Sequence, residues 1–367
     1  SVQGTATVMS GKQVRVTFED GSSSFYFGNK ILIATGSKER RLDIPGADLP
    51  GVMTSEALMT SGGNKYHSLI VLGGGVTGLE TATVFRNLGA KVTIIEVSDH
   101  LIPRIDSEFS DELERLMRAH GVEIYKESMS ERITRDEEGV CCEFVCAEGT
   151  KRVHAEALLM SVGRIPNTDG LFAPEVPIKM DHGKILVDEF FRTSVPGIYA
   201  VGDVTGGIQL AHVASAQGTY VVEKMNDLTP SVIVSMVPSC LFTPISIVPS
   251  CLYTEPEIAS VGLTETQARE KGVQIRVGRY DMKGNGQQII SRETGGFIKV
   301  IFAANSDVLL GAQIMCARAT DMIGELATAL ANGLTSTQLM YAMRAHPTFN
   351  EAISCAVENS RDSMEKE

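Results

Sequence analysis

Gly73-x-Gly75-x-x-Gly78 is the spacing in this chain most able to do chemistry on a ligand, because three residues without side chains let a backbone approach a pyrophosphate closely. The elements needed to position it flank it on both sides. Ser68-Leu-Ile-Val-Leu72 is a short apolar strand ending at the first glycine, and a helix from Val76 to Leu88 follows. That helix would aim its free N–H groups and the positive end of its dipole at the phosphates, with Gly78 letting it lie close to the sheet. A second strand, Lys91 to Ile95, ends at Glu96, whose carboxylate suits both ribose hydroxyls and repels a 2′-phosphate. The unit therefore reads as a dinucleotide site that prefers NAD to NADP.

Composition sets the outer limits. A chain of 367 residues is too long for one ordinary core, and 43% hydrophobic with 21% charged residues is the composition of globular protein. The net charge of −12 leaves no basic stripe for phosphates, so no nucleic-acid partner is expected and no anionic membrane surface either. No apolar run reaches the roughly 20 residues needed to span a bilayer, and Ser1-Val-Gln-Gly4 is not a secretory leader. A cytoplasmic protein, or a matrix one in a eukaryote, is the expectation.

Seven scattered cysteines without metal-ligand spacing fit a reducing compartment, and no metal site is expected. Cys141 and Cys146 have the spacing of some redox disulfides, but the stretch around them reads as one β-strand. Five residues along a strand is about 16 Å with side chains on opposite faces, so the pair cannot bridge, and a packing role is expected for both. His67, His100, His120, His154 and His182 read as unpaired surface residues in turns or at helix ends.

The rest of the chain alternates strands and helices up to about residue 225 and then turns β-rich. Gln13 to Phe18 and Ser24 to Tyr26 read as a β-meander continuing into Ile31–Gly36. Asp106 or Ser107 should cap a helix carrying Phe109, Leu113, Leu116 and Met117 on one face and ending at Gly121. A parallel sheet with an antiparallel excursion should fill 52 to 163. Two helices, Asp321 to Asn332 and Thr337 to Arg344, are expected near the end. Ser235 to Pro244 is echoed by Ser246 to Glu255, a single duplication at a spacing of eleven residues, of which the second copy should be the native strand.

Six blocks, in order, carry a family resemblance: Ile33-Ala-Thr-Gly36, Gly73 to Glu80, Val162-Gly-Arg-Ile-Pro-Asn167, Thr193 to Asp203, Leu210-Ala-His-Val-Ala214 and His346-Pro-Thr-x-x-Glu351. Together they resemble the flavin-dependent pyridine nucleotide-disulfide oxidoreductases, and among them the dihydrolipoamide dehydrogenases. The resemblance implies an α/β fold with a Rossmann-like NAD-binding domain (45–165), a partial FAD-binding domain (1–44 and 166–234) and an α+β dimerisation domain (235–367).

It implies roles as well. His346 resembles the general base for a dithiol, and Glu351 the carboxylate that orients it across a homodimer interface. Glu80 resembles the residue near the nicotinamide amide, and Gly163 and Arg164 the turn beside the adenine side of NAD. Thr35, Gly36 and Asp203 resemble FAD contacts, and Leu210, Ala211 and His212 the helix start facing the flavin pyrimidine. With Gly73, Gly75, Val76, Gly78 and Glu96 they make the expected cofactor set. The implied partner is a lipoyl-bearing protein of a 2-oxoacid dehydrogenase or glycine cleavage complex.

The family also begins with a second glycine fingerprint for FAD and a redox-active cysteine pair, and neither stands in this sequence. The expectation is a truncated form, inactive alone. The competing readings are a non-catalytic NAD-binding and dimerisation module, or another NAD(P)H-dependent disulfide reductase, although Glu96 stands where NADP-dependent reductases carry arginine.

Overall fold

The apolar run Ser68–Leu72 has no polar face to leave in water, so it belongs inside a sheet covered on both sides. The computed structural model describes residues 1–60, 66–102, 105–232, 234, 237–238 and 244–362. It places this run at the centre of a five-stranded parallel sheet, in the order Val52–Met53, Ala157–Met160, Ser68–Leu72, Lys91–Ile95, Glu123–Tyr125. Side chains alternate between two cores. Leu69 and Val71 pack with Leu79, Phe85, Phe109 and Leu113 of the helices Val76–Asn87 and Ser107–Ala119. Ile70 and Leu72 pack with Ile133, Val140, Cys142 and Phe144 of the antiparallel sheet Met129–Arg135, Val140–Cys146, Gly149–Ala155.

The chain divides into two units, residues 1–40 with 163–235 and residues 41–162 with 236–367. The second unit also holds a five-stranded antiparallel sheet, ordered Ser250–Leu252, Glu257–Gly262, Leu309–Cys316, Phe297–Ala303, Ile275–Asp281. Of its three inner strands, Phe297–Ala303 and Leu309–Cys316 are buried along their whole length. The helices Ala319–Ala331 and Glu351–Asp362 share its core. In the first unit, Thr5–Met9, Gln13–Thr17 and Ser23–Phe27 form an antiparallel sheet, Ile31–Ile33 pairs in parallel with Ile198–Ala200, and Ser37–Glu39 pairs with Arg164–Pro166.

Several expectations need correction. The meander gains a first strand at Thr5–Met9, and Ile31–Ile33 leaves it, because its backbone pairs in parallel with Ile198–Ala200, although Ile33 shares a core with Val8 of the meander. The helix expected over Thr337 to Arg344 spans only Ser336–Met340, since Arg344 turns back to Ser354 and Glu325. The helix Glu351–Asp362 was not anticipated, although Ala352, Ile353, Ala356 and Val357 give it a fully buried stripe. The second duplicate copy does supply the sheet strand Ser250–Leu252. The first copy lies almost wholly outside the described residues.

Asp106 precedes the Ser107–Ala119 helix as foreseen but does not cap it with its side chain. Its carboxylate instead accepts from the N–H groups of Glu265 (3.1 Å) and Thr266 (3.3 Å), from the Thr266 hydroxyl (2.9 Å) and from Gln313 (2.8 Å). The Lys299 ammonium, on a side chain only 5% exposed, completes the group: it lies 3.1 Å from Asp106 and 2.9 Å from Glu265, and also contacts Glu108. Burial works against the charge on Lys299, but Glu108 and Glu265 outweigh it and hold the ammonium pKa above the ordinary lysine value. Burial likewise opposes the Asp106 carboxylate. Lys299 and Thr266 outweigh that and hold its pKa below the usual carboxylate range.

Replacing Lys299 by Met should strip the countercharge from buried carboxylates and cost about 3–5 kcal/mol of unfolding free energy. A carboxyl pKa depressed in the fold gives stability that is present above about pH 4 and lost as pH falls through the folded value. Urea unfolding at pH 7 and in acid should show a large gap between parent and variant that narrows in acid. Equal stabilities at pH 7 would sink the assignment.

Candidate functional site

Gly73 leaves its strand at φ +103°, in the left-handed region that favours glycine. At Gly78 a Cβ would sit 2.0 Å from the Gly73 carbonyl oxygen and 2.8 Å from Ser161 Oγ, so the close packing of helix on strand requires glycine there. A Cβ on Gly75 would meet nothing within 4 Å. Gly75 is the N-cap of the Val76–Asn87 helix and adds no capping side chain, so the first-turn N–H groups beside Val76 face that open side without intrahelical partners. This arrangement fits a pyrophosphate. Ser161, which sequence reasoning missed, supports the turn by donating its hydroxyl to the Leu72 carbonyl at 2.7 Å.

Glu96 stands beside the turn, accepting the N–H groups of Gly74 and of Ser98 (2.7 Å). Glu80, one turn into the helix, accepts the Tyr253 N–H at 2.9 Å, and burial pushes its carboxyl pKa up. It is therefore more than an exposed helix glutamate. Tyr253 had carried no sequence signal, because it contributes only its backbone.

In the other unit, Asp203 follows Gly202 and accepts the Ser37 hydroxyl at 2.5 Å. Arg164 donates to Ser37 Oγ at 2.6 Å and to the Ser37 carbonyl at 2.7 Å. Arg164 and the adjoining Gly163 thus belong structurally with Ser37 and Asp203, in a different unit from the Gly73 turn. The Thr35 hydroxyl donates to the Asn167 carbonyl at 2.8 Å, and Gly36, at φ +69°, leaves open space where a Cβ would stand. Leu210 is the extended N-cap of Ala211–Met225 without a side-chain cap, leaving the first turn at Ala211 and the exposed His212. An anionic ring edge fits that end.

His346 Nδ1 lies 2.9 Å from Glu351 Oε1, at the start of the Glu351–Asp362 helix. The Thr348 N–H donates to Glu351 at 3.0 Å, and this bond, with that to His346, holds the Glu351 pKa below the ordinary carboxylate range. Asn285, itself buried, anchors the Thr348 carbonyl at 3.0 Å. With Nδ1 engaged, Nε2 of a 78% exposed imidazole is the nitrogen left for proton transfer.

The other histidines are not all unpaired as expected. His100 contacts Asp99, His154 lies in a strand 3.7 Å from Asp136, and His182 lies 3.6 Å from Asp181. Two of these pairs are chain neighbours, which a count of spacings could have found.

Residues 2–218 match the pyridine nucleotide-disulphide oxidoreductase family, and residues 248–357 match its dimerisation domain. The chain belongs to this family. It is 34% identical to a dihydrolipoyl dehydrogenase of Bacillus subtilis over 97% of its own length and 73% of the relative's. To that of Chlorobaculum tepidum it is 36% identical, over 98% and 75%. Among solved structures, LpdA of Mycobacterium tuberculosis is similar with a TM-score of 0.87 at 28% identity, covering 99% of this chain and 77% of that one. The Cu(II) complex of the HOCl-induced flavoprotein disulfide reductase RclA of Escherichia coli gives 0.86 at 28%, covering 97% and 78%. FAD and NAD are the cofactors of this oxidoreductase family. No described helix is long and apolar enough to cross a membrane.

Glu96→Arg should narrow or reverse a preference of the chain for NADH over NADPH, because the carboxylate that repels a 2′-phosphate becomes a cation that attracts it. Titrating both nucleotides by fluorescence checks this. Equal affinities in the unmodified chain would count against the role of Glu96.

Proposed function

We propose that this chain serves electron transfer from dihydrolipoamide to NAD, as a cytoplasmic homodimer working with a lipoyl-bearing protein of a 2-oxoacid dehydrogenase or glycine cleavage complex. The observation that carries the reading is the His346–Glu351 pair, within the stretch that matches the dimerisation domain.

His346 Nε2 takes the proton of the attacking dithiol, and Glu351 stabilises the imidazolium that results. The Gly73–Gly78 turn and the helix behind it hold the NAD pyrophosphate, while Glu96 takes the adenosine ribose. Glu80 stands one helical turn from the phosphates, at the nicotinamide end. Thr35, Gly36 and Asp203 hold the flavin side, Leu210 to His212 present a helix start to the ring, and Gly163 with Arg164, which bonds to Ser37, serves the adenine side of NAD. Bound FAD supplies the two-electron relay between disulfide and nicotinamide.

The disulfide itself is not among the described residues. All six described cysteines are free, and Cys141 and Cys146 lie on opposite faces of one strand. This favours, as second reading, a module that binds NAD and dimerises without turning over by itself.

The chain alone should dimerise on the order of 10 μM and bind NADH, yet give no dihydrolipoamide-dependent NAD reduction. Fused to a segment carrying the family's FAD fingerprint and redox cysteines, it should gain that activity, and His346→Gln in the fusion should lower kcat at least about 100-fold. A monomer in sedimentation, or a fusion that instead reduces glutathione disulfide with NADPH, would overturn the proposal.

A further inference from the structure

The His346–Glu351 pair sits on a segment that regular structure does not hold. Ala345 to Asn350 runs between the helices Ser336–Met340 and Glu351–Asp362 without helix or strand of its own. Yet the pair needs a fixed geometry. When Glu351 accepts the Nδ1–H of a neutral imidazole, at 2.9 Å, that bond selects the tautomer whose Nε2 can take a proton. A small shift of either backbone would release it.

One residue of the Ala319–Ala331 helix, Glu325, grips this segment at both ends. One carboxylate oxygen receives the Arg344 guanidinium, two positions before His346, and the other receives Asn350 at 3.1 Å, one position before Glu351. Glu325 thus brackets the pair and acts on it through its neighbours. The Arg344 side chain is only 6% exposed and also bonds Ser354 at 2.7 Å, just beyond Glu351 on the same helix. A cation buried to that degree is held in place by its carboxylate partner rather than by water. Asn285 grips the middle of the segment at the Thr348 carbonyl.

We propose that Glu325 is a positioning residue for the His346–Glu351 pair: by holding Arg344 and Asn350 on one carboxylate it fixes the separation of the two side chains and keeps Nε2 as the proton-accepting nitrogen. This rests on the reading of His346 as proton acceptor for a dithiol. Glu325 stands 21 positions ahead of the histidine, so only the fold brings it to the pair.

The test reads the imidazole itself. Long-range proton–nitrogen NMR spectra of the chain with isotope-labelled histidine, at a pH where the ring is neutral, report which nitrogen carries the proton, and His346→Gln assigns the signal. His346 should show the Nδ1–H tautomer. Glu325→Ala and Asn350→Ala should each shift the tautomer ratio toward Nε2–H by about fivefold, the scale of one hydrogen bond. In the fusion described above they should lower kcat about tenfold, part of the factor that a well-placed base supplies, with KM for dihydrolipoamide unchanged. Glu325→Gln keeps an oxygen for Arg344 and gains an amide N–H that a turned Asn350 amide can accept, so it should recover most of both. Both Glu325 variants remove the countercharge of Arg344 and should lower the melting temperature, so a merely structural role predicts no difference between them. Asn350→Ala leaves the Arg344–Glu325 pair whole and decides the matter if Glu325→Ala does not fold. An unchanged tautomer in the alanine variants, or equal losses in Glu325→Gln and Glu325→Ala, would overturn the proposal. A fusion whose turnover ignores His346→Gln would sink the assigned function instead, and the spectra of the chain would still decide for or against Glu325.

Discussion

One buried ammonium holds the nucleotide-binding part of this chain to the antiparallel sheet that follows it. Lys299 lies inside that sheet, while two of its three carboxylate partners, Asp106 and Glu108, start the helix that covers the parallel sheet. The three carboxylates lie close enough together to hold a cation, and the lysine takes that place. A buried charge group is weak in net stabilisation but unforgiving of geometry, since any displacement leaves a charge without its partner. It therefore fixes a position as much as it adds stability.

That position is passed on to the glycine turn through short steps. The Ile102 N–H donates to the Gly74 carbonyl at 3.3 Å, and a Cβ on Gly74 would lie 2.5 Å from Leu101, so Leu101 and Ile102 are packed against the turn. A second tether runs nearby. Glu80 accepts from Tyr253, and Glu255 receives Asn87 at 2.9 Å and Arg86, so the helix that presents its N-terminus to phosphates is gripped along its length. Leu252, Ile258, Phe297 and Met315 close the same apolar core. The phosphate turn is thus tied by several contacts to the five-stranded antiparallel sheet.

What could be read from sequence was what is local. The strand, glycine turn, helix and acid from Ser68 to Glu96 span a few residues each, and their periodicity and φ requirements are intrinsic to the segment. The buried face of Ser107–Ala119 was equally plain, as was the inability of Cys141 and Cys146 to bridge. Lys299 meets Asp106 across 193 positions, and Arg164 meets Ser37 across 127, with nothing in either neighbourhood to announce it. Asp106 does take the N-cap position the sequence suggests, but that its carboxylate serves the backbone N–H groups of Glu265 and Thr266 instead is visible only in the fold. The Glu351–Asp362 helix is different, for its apolar stripe was in view but shadowed by the His-Pro block before it.

Both units are discontinuous along the chain, and this bears on how the protein comes into being on the ribosome. Ile31–Ile33 is made early, yet its parallel partner Ile198–Ala200 emerges only after the whole parallel sheet has been translated. At about 5–20 residues per second the wait is roughly 10–30 s, far longer than a hairpin needs to form. Through that interval Ile31–Ile33 lacks this partner strand. Nascent chains of this architecture thus have an intrinsic need for shielding of that strand, by a chaperone or by whatever polypeptide is already folded beside it.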